Sequence, residues 1–316
     1  MRKPFMLLLI LLLTAFTPLD YAWADDAPQA EASSASASVP ASVQPRGTLY
    51  RVQYQGHTAY LFGTIHVGKP EFYPLEPQVL QGLKEAEVLA VEFDISDGEP
   101  VQKAVFKYAL YPNAGTIDQH VAPKTLARTK KALEGLGLPY DGVSHMKPWM
   151  IADEILILSL QKQGYPSELA TDIFLINTAK SDKKPIVSLE SADFQLGIFD
   201  KLTPKQQEAY LNDSLDDLES GEVASKNQDL LTAWAHADQK AFDALLAEAR
   251  DDKTVSGRFF YRNLLLARNP AMADKIAQLI KAHEHSFVGI GLLHLVGQEG
   301  VPQLLQKKGF TVERLY

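Results

Sequence analysis

The chain has 316 residues, no cysteine and a formal net charge of −8. An acidic balance argues against a nucleic-acid partner, because phosphate binding needs a basic face. Without disulfides the fold must rest on an ordinary apolar core, which a chain of this length is large enough to build.

Residues 1–24 read as a secretory signal peptide, with a retained anchor as the rival reading. Arg2 and Lys3 form a positive start, Met6 to Leu13 is an apolar run too short to span a bilayer, and Ala22-Trp23-Ala24 is a small-x-small cleavage pattern with the cut expected after Ala24. No cysteine follows, so no lipid-anchored cysteine is expected, and no later segment has the length or purity of a transmembrane helix. The expectation is a periplasmic or secreted protein without stable membrane insertion after cleavage. Residues 25–46, rich in Ala, Ser and Pro, cannot bury enough to offset their ordering entropy and read as a disordered tether. Residues 47–316 show no comparable break and are expected to form one α/β domain.

Thr48 to Tyr54 and Thr58 to Ile65, separated by Gln55-Gly56-His57, predict a β-hairpin. A helix is expected around Gln78 to Glu87, then a buried strand over Val88-Leu89-Ala90-Val91-Glu92-Phe93. A long helical middle follows. Pro148 opens a helix with a broad apolar face carried by Trp149, Ile151, Ala152, Ile155 and Leu156. Thr203-Pro204-Lys205-Gln206 has the form of a capping box. Two further strands are predicted over Lys184 to Glu190 and His285 to Gly291. A helix over Val301 to Lys308, ended by Gly309, leads to a last strand from Phe310 to Leu315. Apolar strands separated by helices predict a central mixed sheet covered on both faces, an α/β fold with a helical middle region.

Four polar residues stand at the ends of these strands: His66, Glu92, Glu190 and His294. Ligands of open α/β sheets bind beyond the carboxyl ends of the strands. Glu92 interrupts an apolar string, where a carboxylate is costly unless it is paired or binds a metal; the plainer alternative is a glutamate facing solvent at a sheet edge. His66 and His294 share a pattern of strand, Gly, two residues, His, in Gly63-Thr64-Ile65-His66 and Gly291-Leu292-Leu293-His294. Either alone reads as a hydrogen-bonded structural histidine. Together with a carboxylate they form a set that binds a divalent metal and leaves positions open for water and substrate. Arg268-Asn269 opens a helical region, where the arginine can bind an anionic substrate, clamp Glu92 or Glu190, or simply sit on the helix surface. The other histidines are expected in turns, loops or solvated helix ends, and Trp149 and Trp234 in the core.

These residues resemble the TraB/GumN family, which is related to the TIKI metalloproteases. The resemblance is carried by Leu61-Phe62-Gly63-Thr64-Ile65-His66, Val91-Glu92, Lys147-Pro148-Trp149, Leu189-Glu190, Arg268-Asn269 and the run from Val288 to Gly297. It implies a fold of the erythromycin-esterase and ChaN-like group and an active site of two Gly-x-x-His motifs with a glutamate. It also implies divalent-metal-dependent peptidase activity, with Mn2+ or Co2+ favoured. By that resemblance His66, Glu92 and His294 are the leading ligand or catalytic residues, with Glu190, Arg268 and Asn269 in support. The family pattern Gly-Leu-Asp is replaced here by Ala170-Thr171-Asp172, which leaves the local turn open. The expected function is therefore an exported metal-dependent hydrolase of peptide or amide bonds, with one glutamate as ligand and the other as general base. The alternatives are a non-catalytic binding or regulatory protein for a peptide or saccharide, and a metal-independent esterase.

Overall fold

The structure is a computed structural model and describes residues 44–316. The expected signal peptide and residues 25–43 of the expected tether lie outside the described residues. The chain opens with the predicted hairpin, β1 (Leu49–Tyr54) and β2 (His57–Thr64), paired antiparallel from Leu49↔Phe62 to Tyr54↔His57. Gln55 and Gly56 turn the corner with φ of 49° and 92°, the pair of positive values that a two-residue hairpin needs. Next come α1 (Pro77–Glu85), β3 (Val88–Val91), α2 (Gly98–Tyr108), α3 (Pro123–Leu136), α4 (Tyr140–Val143), α5 (Pro148–Lys162) and α6 (Thr171–Ser181). They are followed by β4 (Ile186–Ser188), α7 (Ala192–Phe199), α8 (Pro204–Ser220), α9 (Glu222–Ala235), α10 (Gln239–Asp251) and α11 (Val255–Phe259). A π-helical stretch, Phe260–Leu266, joins α11 to α12 (Asn269–Ala282). β5 (His285–Gly291), a 3-10 turn (Leu292–Leu295), α13 (Val301–Lys307) and β6 (Thr311–Arg314) complete the chain.

The strands form one mixed six-stranded sheet in the order β4-β3-β5-β2-β1-β6. β4, β3, β5 and β2 run parallel to their neighbours, while β1 is antiparallel to both β2 and β6. Side-chain alternation divides two apolar layers. Val88, Ala90, Val288 and Ile290 face one way and pack with Met272, Ile276 and Ile280 of α12 and Val301 and Leu305 of α13. Leu89, Val91 and Phe287 face the larger layer built with the helical middle. Burying a strand residue such as Phe287 or Val288 contributes about 1.5–3 kcal/mol, and both are fully buried.

α5 is apolar almost all round, with Trp149 and Ile151 fully buried, and it packs mainly on α8. A helix without a polar face belongs inside the fold. Trp234 is also fully buried, so both tryptophans take the core positions expected of them. The capping box at the start of α8 forms as predicted: Thr203 Oγ1 accepts the Gln206 N–H, and Gln206 Oε1 accepts the Thr203 N–H at 2.9 Å. Two strands are shorter than the apolar runs suggested. β3 stops at Val91 and β4 at Ser188, so Glu92 and Glu190 stand just past strand ends. Their backbones stay paired, with the Glu190 N–H donating to Glu92 O at 2.7 Å. Among the described residues no helix is long and apolar enough to cross a membrane.

Candidate active site

The four adjacent parallel strands end on the same side of the sheet, and each delivers one polar group there. Glu190 follows β4, Glu92 follows β3, His294 follows β5 through the 3-10 turn, and His66 follows β2. The parallel register sets Thr64 opposite Gly291, so the two Gly-x-x-His motifs lie side by side although they come from opposite ends of the chain.

Each imidazole is held at Nδ1. His66 Nδ1 is 2.8 Å from Asp172 Oδ2, an acceptor, so Nδ1 carries a proton and, in the neutral ring, Nε2 keeps a lone pair. Asp172 lies in the first turn of α6, which is fixed to the His66 loop: Thr171 Oγ1 accepts the Ile65 N–H at 2.9 Å and the Thr171 N–H donates to Ile65 O at 3.0 Å. The turn left open by the sequence is therefore a helix start that aims Asp172 at His66. His294 Nδ1 is 2.6 Å from Asn269 Oδ1. The amide orientation follows from Asn269 Nδ2, which donates to Glu299 O at 2.8 Å, so Oδ1 must be the acceptor and His294 Nε2 also keeps its lone pair. That Nε2 is buried without a hydrogen-bond partner and stands 3.9 Å from Glu92 Oε1.

The two rings differ in basicity. Burial and the nearby Arg268 charge lower the His294 pKa to about 3, so this ring is neutral. Burial also works to lower that of His66, but the charge and hydrogen bond of Asp172, helped by Glu92, outweigh it and raise the value above the usual 6.5.

Arg268 sits between the π-helical stretch and α12 and is 2% exposed, which settles the question of surface arginine against clamp. Nε donates to both oxygens of Glu190 at 3.1 and 3.0 Å, and Nη2 donates to Glu190 Oε2 at 2.6 Å and to Glu92 Oε2. Nη1 donates to Leu264 O at 2.9 Å. Gln195 of α7 bridges the same two carboxylates, with Nε2 donating to Glu92 Oε2 at 3.0 Å and Glu190 Oε2 at 2.7 Å. Glu92 Oε1 is left to accept the Gly291 N–H at 2.8 Å. Burial tends to raise the Glu92 pKa, yet Arg268, the two imidazoles and the Gly291 N–H hold it well below the usual carboxylate range. Glu92 is thus ionised, with Oε1 turned toward the imidazoles.

The absence of a side chain at Gly291 is required here. A Cβ would lie 3.0 Å from Glu92 Oε1, 3.6 Å from His66 Nε2 and 3.6 Å from His294 Cδ2, filling the space the three groups share. A small cleft, its cavity about 30 Å3, meets this space and is lined by both histidines. His66 keeps 13% of its side chain exposed and His294 only 2%, so approach is from the His66 side.

Among the described residues no group of three or more His, Cys, Asp or Glu side chains stands in a metal-binding array. The donor chemistry nevertheless fits a divalent cation. The His294 imidazole presents an unprotonated Nε2 that is a buried orphan, the His66 Nε2 is free to bind when its ring is neutral, and each ring has its Nδ1–H tied to an oxygen acceptor, the support that metal-ligating histidines use.

Sequence reasoning named His66, Glu92, Glu190, Arg268, Asn269 and His294, and the fold brings all six together. It gave no role to Gln195, a 5% exposed side chain with no motif around it. The other histidines are engaged elsewhere or exposed: His57 with His283 O, His120 stacked on Tyr111, His145 with Gly115 O, His236 with Thr232 O, His283 with Glu87, and His285 in solvent.

The chain is 27% identical to the uncharacterized protein YbaP of Escherichia coli (strain K12) over 247 residues, 78% of this chain and 87% of that one. The Shigella flexneri YbaP is likewise 27% identical, over 248 residues covering 78% of this chain and 88% of its own. Metalloprotease TIKI1 of Danio rerio is 22% identical over 308 residues, 81% of this chain but only 60% of that protein. No solved structure matches the chain. Residues 48–314 match the TraB/PrgY/gumN family, a span that runs from the first strand to the last and takes in both histidine motifs. The chain belongs to the TraB/PrgY/gumN family.

Proposed function

We propose that this chain is an exported hydrolase of peptide or amide bonds that works with a divalent cation, Mn2+ or Co2+, held by His66, His294 and Glu92. The observation that carries the reading is the pair of imidazoles whose Nε2 sides share, with Glu92 Oε1, the space above Gly291. A cation bound there would polarise the scissile carbonyl and ease the ionisation of water. Asp172 and Asn269 fix the tautomers, so that His294 offers its Nε2 lone pair outright and His66 offers one once its ring gives up the Nε2 proton. Glu92 Oε1 is the carboxylate oxygen turned to the imidazoles, and a carboxylate held ionised in this way is suited to complete the ligand set rather than to act as the base. Both oxygens of Glu190 are taken by Arg268, so Glu190 acts by anchoring the arginine that holds Glu92 ionised rather than as the base. The kinship with animal metalloproteases of the TIKI group supports the reaction class.

The test is the metal-stripped full chain titrated with Mn2+ and Co2+ and then given a library of capped peptides, beside H66A and H294A. The expected result is saturable binding and cleavage in the parent, both lost in the variants. Unchanged metal content in the two variants would overturn the assignment, and saturable peptide or saccharide binding without turnover would make the chain a binding protein. The pattern of residues 1–24 supports export to the periplasm or medium, which cell fractionation checks.

A second reading is favoured by the His66–Asp172 pair itself. A histidine with a carboxylate at Nδ1 and a raised pKa is the general-base arrangement of metal-free hydrolases. Activity that survives thorough chelation and falls in D172N would select it.

A further inference from the structure

Gln195 is an uncharged side chain set among charged ones. Ser191 Oγ accepts the Phe194 N–H at 3.1 Å and so starts α7 directly after Glu190. The first turn of that helix carries Gln195 back to the carboxylates. Within α7 it shares the buried face with Ala192, Leu196 and Phe199. A buried amide is costly unless its hydrogen bonds are made. The amide nitrogen of Gln195 faces two acceptors, Glu92 Oε2 at 3.0 Å and Glu190 Oε2 at 2.7 Å, and an NH2 group has one hydrogen for each.

This arrangement acts on Glu92 in two ways. The first is position. Arg268 Nη2 and Gln195 Nε2 both hold Glu92 Oε2, so Oε1 is the oxygen left to accept the Gly291 N–H and to face the imidazoles. The second is charge. Glu92 and Glu190 against Arg268 leave one negative charge, and Gln195 joins the two carboxylates without cancelling it. The neighbouring His66–Asp172 pair brings no net positive charge, because a protonated ring is balanced by its carboxylate. A lysine at 195 would donate to the same oxygens but neutralise the cluster. A methionine would match the length and donate nothing.

We propose that Gln195 is a positioning residue of the cation site: its amide turns Glu92 Oε1 toward the imidazoles and leaves the carboxylate pair one negative charge to offer a divalent cation. The inference rests on the cation reading given above and on no step of hydrolysis.

The experiment measures Mn2+ binding to the metal-stripped full chain, read as loss of the free-ion electron paramagnetic resonance signal. The parent, Q195M and Q195K are compared, with circular dichroism and urea denaturation of each metal-free protein. Hydrogen-bond partners that orient a metal ligand set its affinity by about 10–100-fold, so a loss of that size is expected in Q195M with the fold retained. Q195K is expected to bind Mn2+ at least about tenfold more weakly than the parent, while resisting urea better than Q195M. Affinity lost in Q195K without a matching loss of stability is the signature that a merely structural role would not give. Unchanged Mn2+ affinity in Q195M overturns the positioning role, and unchanged affinity in Q195K overturns the charge argument. Affinity that simply follows stability in both variants overturns the proposal as well. If Q195M does not fold, Q195K decides alone. A parent that binds no Mn2+ sinks the cation reading and this role together; a parent that binds it beside unaffected variants sinks this role alone.

Discussion

At the scale of single residues, the site depends on Gly291 as much as on the groups that do chemistry. Its missing side chain lets Glu92 Oε1 and both imidazoles face one another across open space. In G291A the methyl group would occupy that space, and a contact of 3.0 Å to Glu92 Oε1 would force the carboxylate back. Metal affinity and activity are expected to fall at least about tenfold while the fold is retained, read by calorimetric titration beside circular dichroism. Arg268 is the opposite case, a residue whose loss is felt first in stability. R268M would leave Glu92 and Glu190 buried with Gln195 as their shared donor, and breaking a buried ion pair by removing one partner costs roughly 3–5 kcal/mol. Urea denaturation measures this; a loss under about 1 kcal/mol would show that the clamp matters little. The chemistry-bearing side chains were legible because they break a rule. A histidine or glutamate that interrupts an apolar strand end needs a reason to be there. Gln195 breaks no rule, since a polar residue within a short helix is ordinary, and only the fold shows which carboxylates it bridges. Asp172 was visible only as the one matching residue in a departed motif.

At the scale of elements, the hydrophobic pattern located the strands and the capping chemistry located helix starts. It overran β3 and β4, because Glu92-Phe93 and Leu189-Glu190 continue the apolar texture after the ladder has ended. The π-helical stretch left no trace in the pattern, yet it places Phe260 and Leu265 on the cleft and offers Leu264 O to Arg268. α5 carries a consequence of its own. It is an almost wholly buried helix with two consecutive acids, Asp153 and Glu154. Burial raises both pKa values, that of Glu154 to about 7. Between the ordinary carboxyl value near 4.5 and that raised value, the unfolded chain gives up its proton while the folded chain keeps it. The unfolded state therefore binds fewer protons, and stability falls as pH rises through the window. E154Q removes the Glu154 share of this dependence. It is expected to match the parent at pH ~4 and to exceed it by roughly 1–3 kcal/mol at pH ~8. Chemical denaturation at the two pH values checks the sign, and a variant less stable than the parent at the higher pH would refute the burial argument.

For the whole molecule, the position of β5 determines how firmly the site is built. β5 pairs with β3 on one side and β2 on the other, and five of its seven residues are buried. The sheet margins are different: β4 has burial only at Ile186, which is partial, and β6 has none beyond a partly covered Val312. The imidazoles hang from the ends of the two innermost strands, while Glu190 hangs from a margin and is tied back by Arg268. Joining β2 to β5 means closing a loop that spans the whole helical middle, so this pairing forms and breaks with the fold as a unit. Amides of β2, β3 and β5 should then exchange with solvent only through global unfolding, and those of β4 and β6 through local opening. Hydrogen exchange read peptide by peptide tests the ordering. Peptides covering residues 285–291 exchanging as fast as those covering 311–314 would mean that the histidine motifs are joined loosely, and a preorganised site could not be built on them.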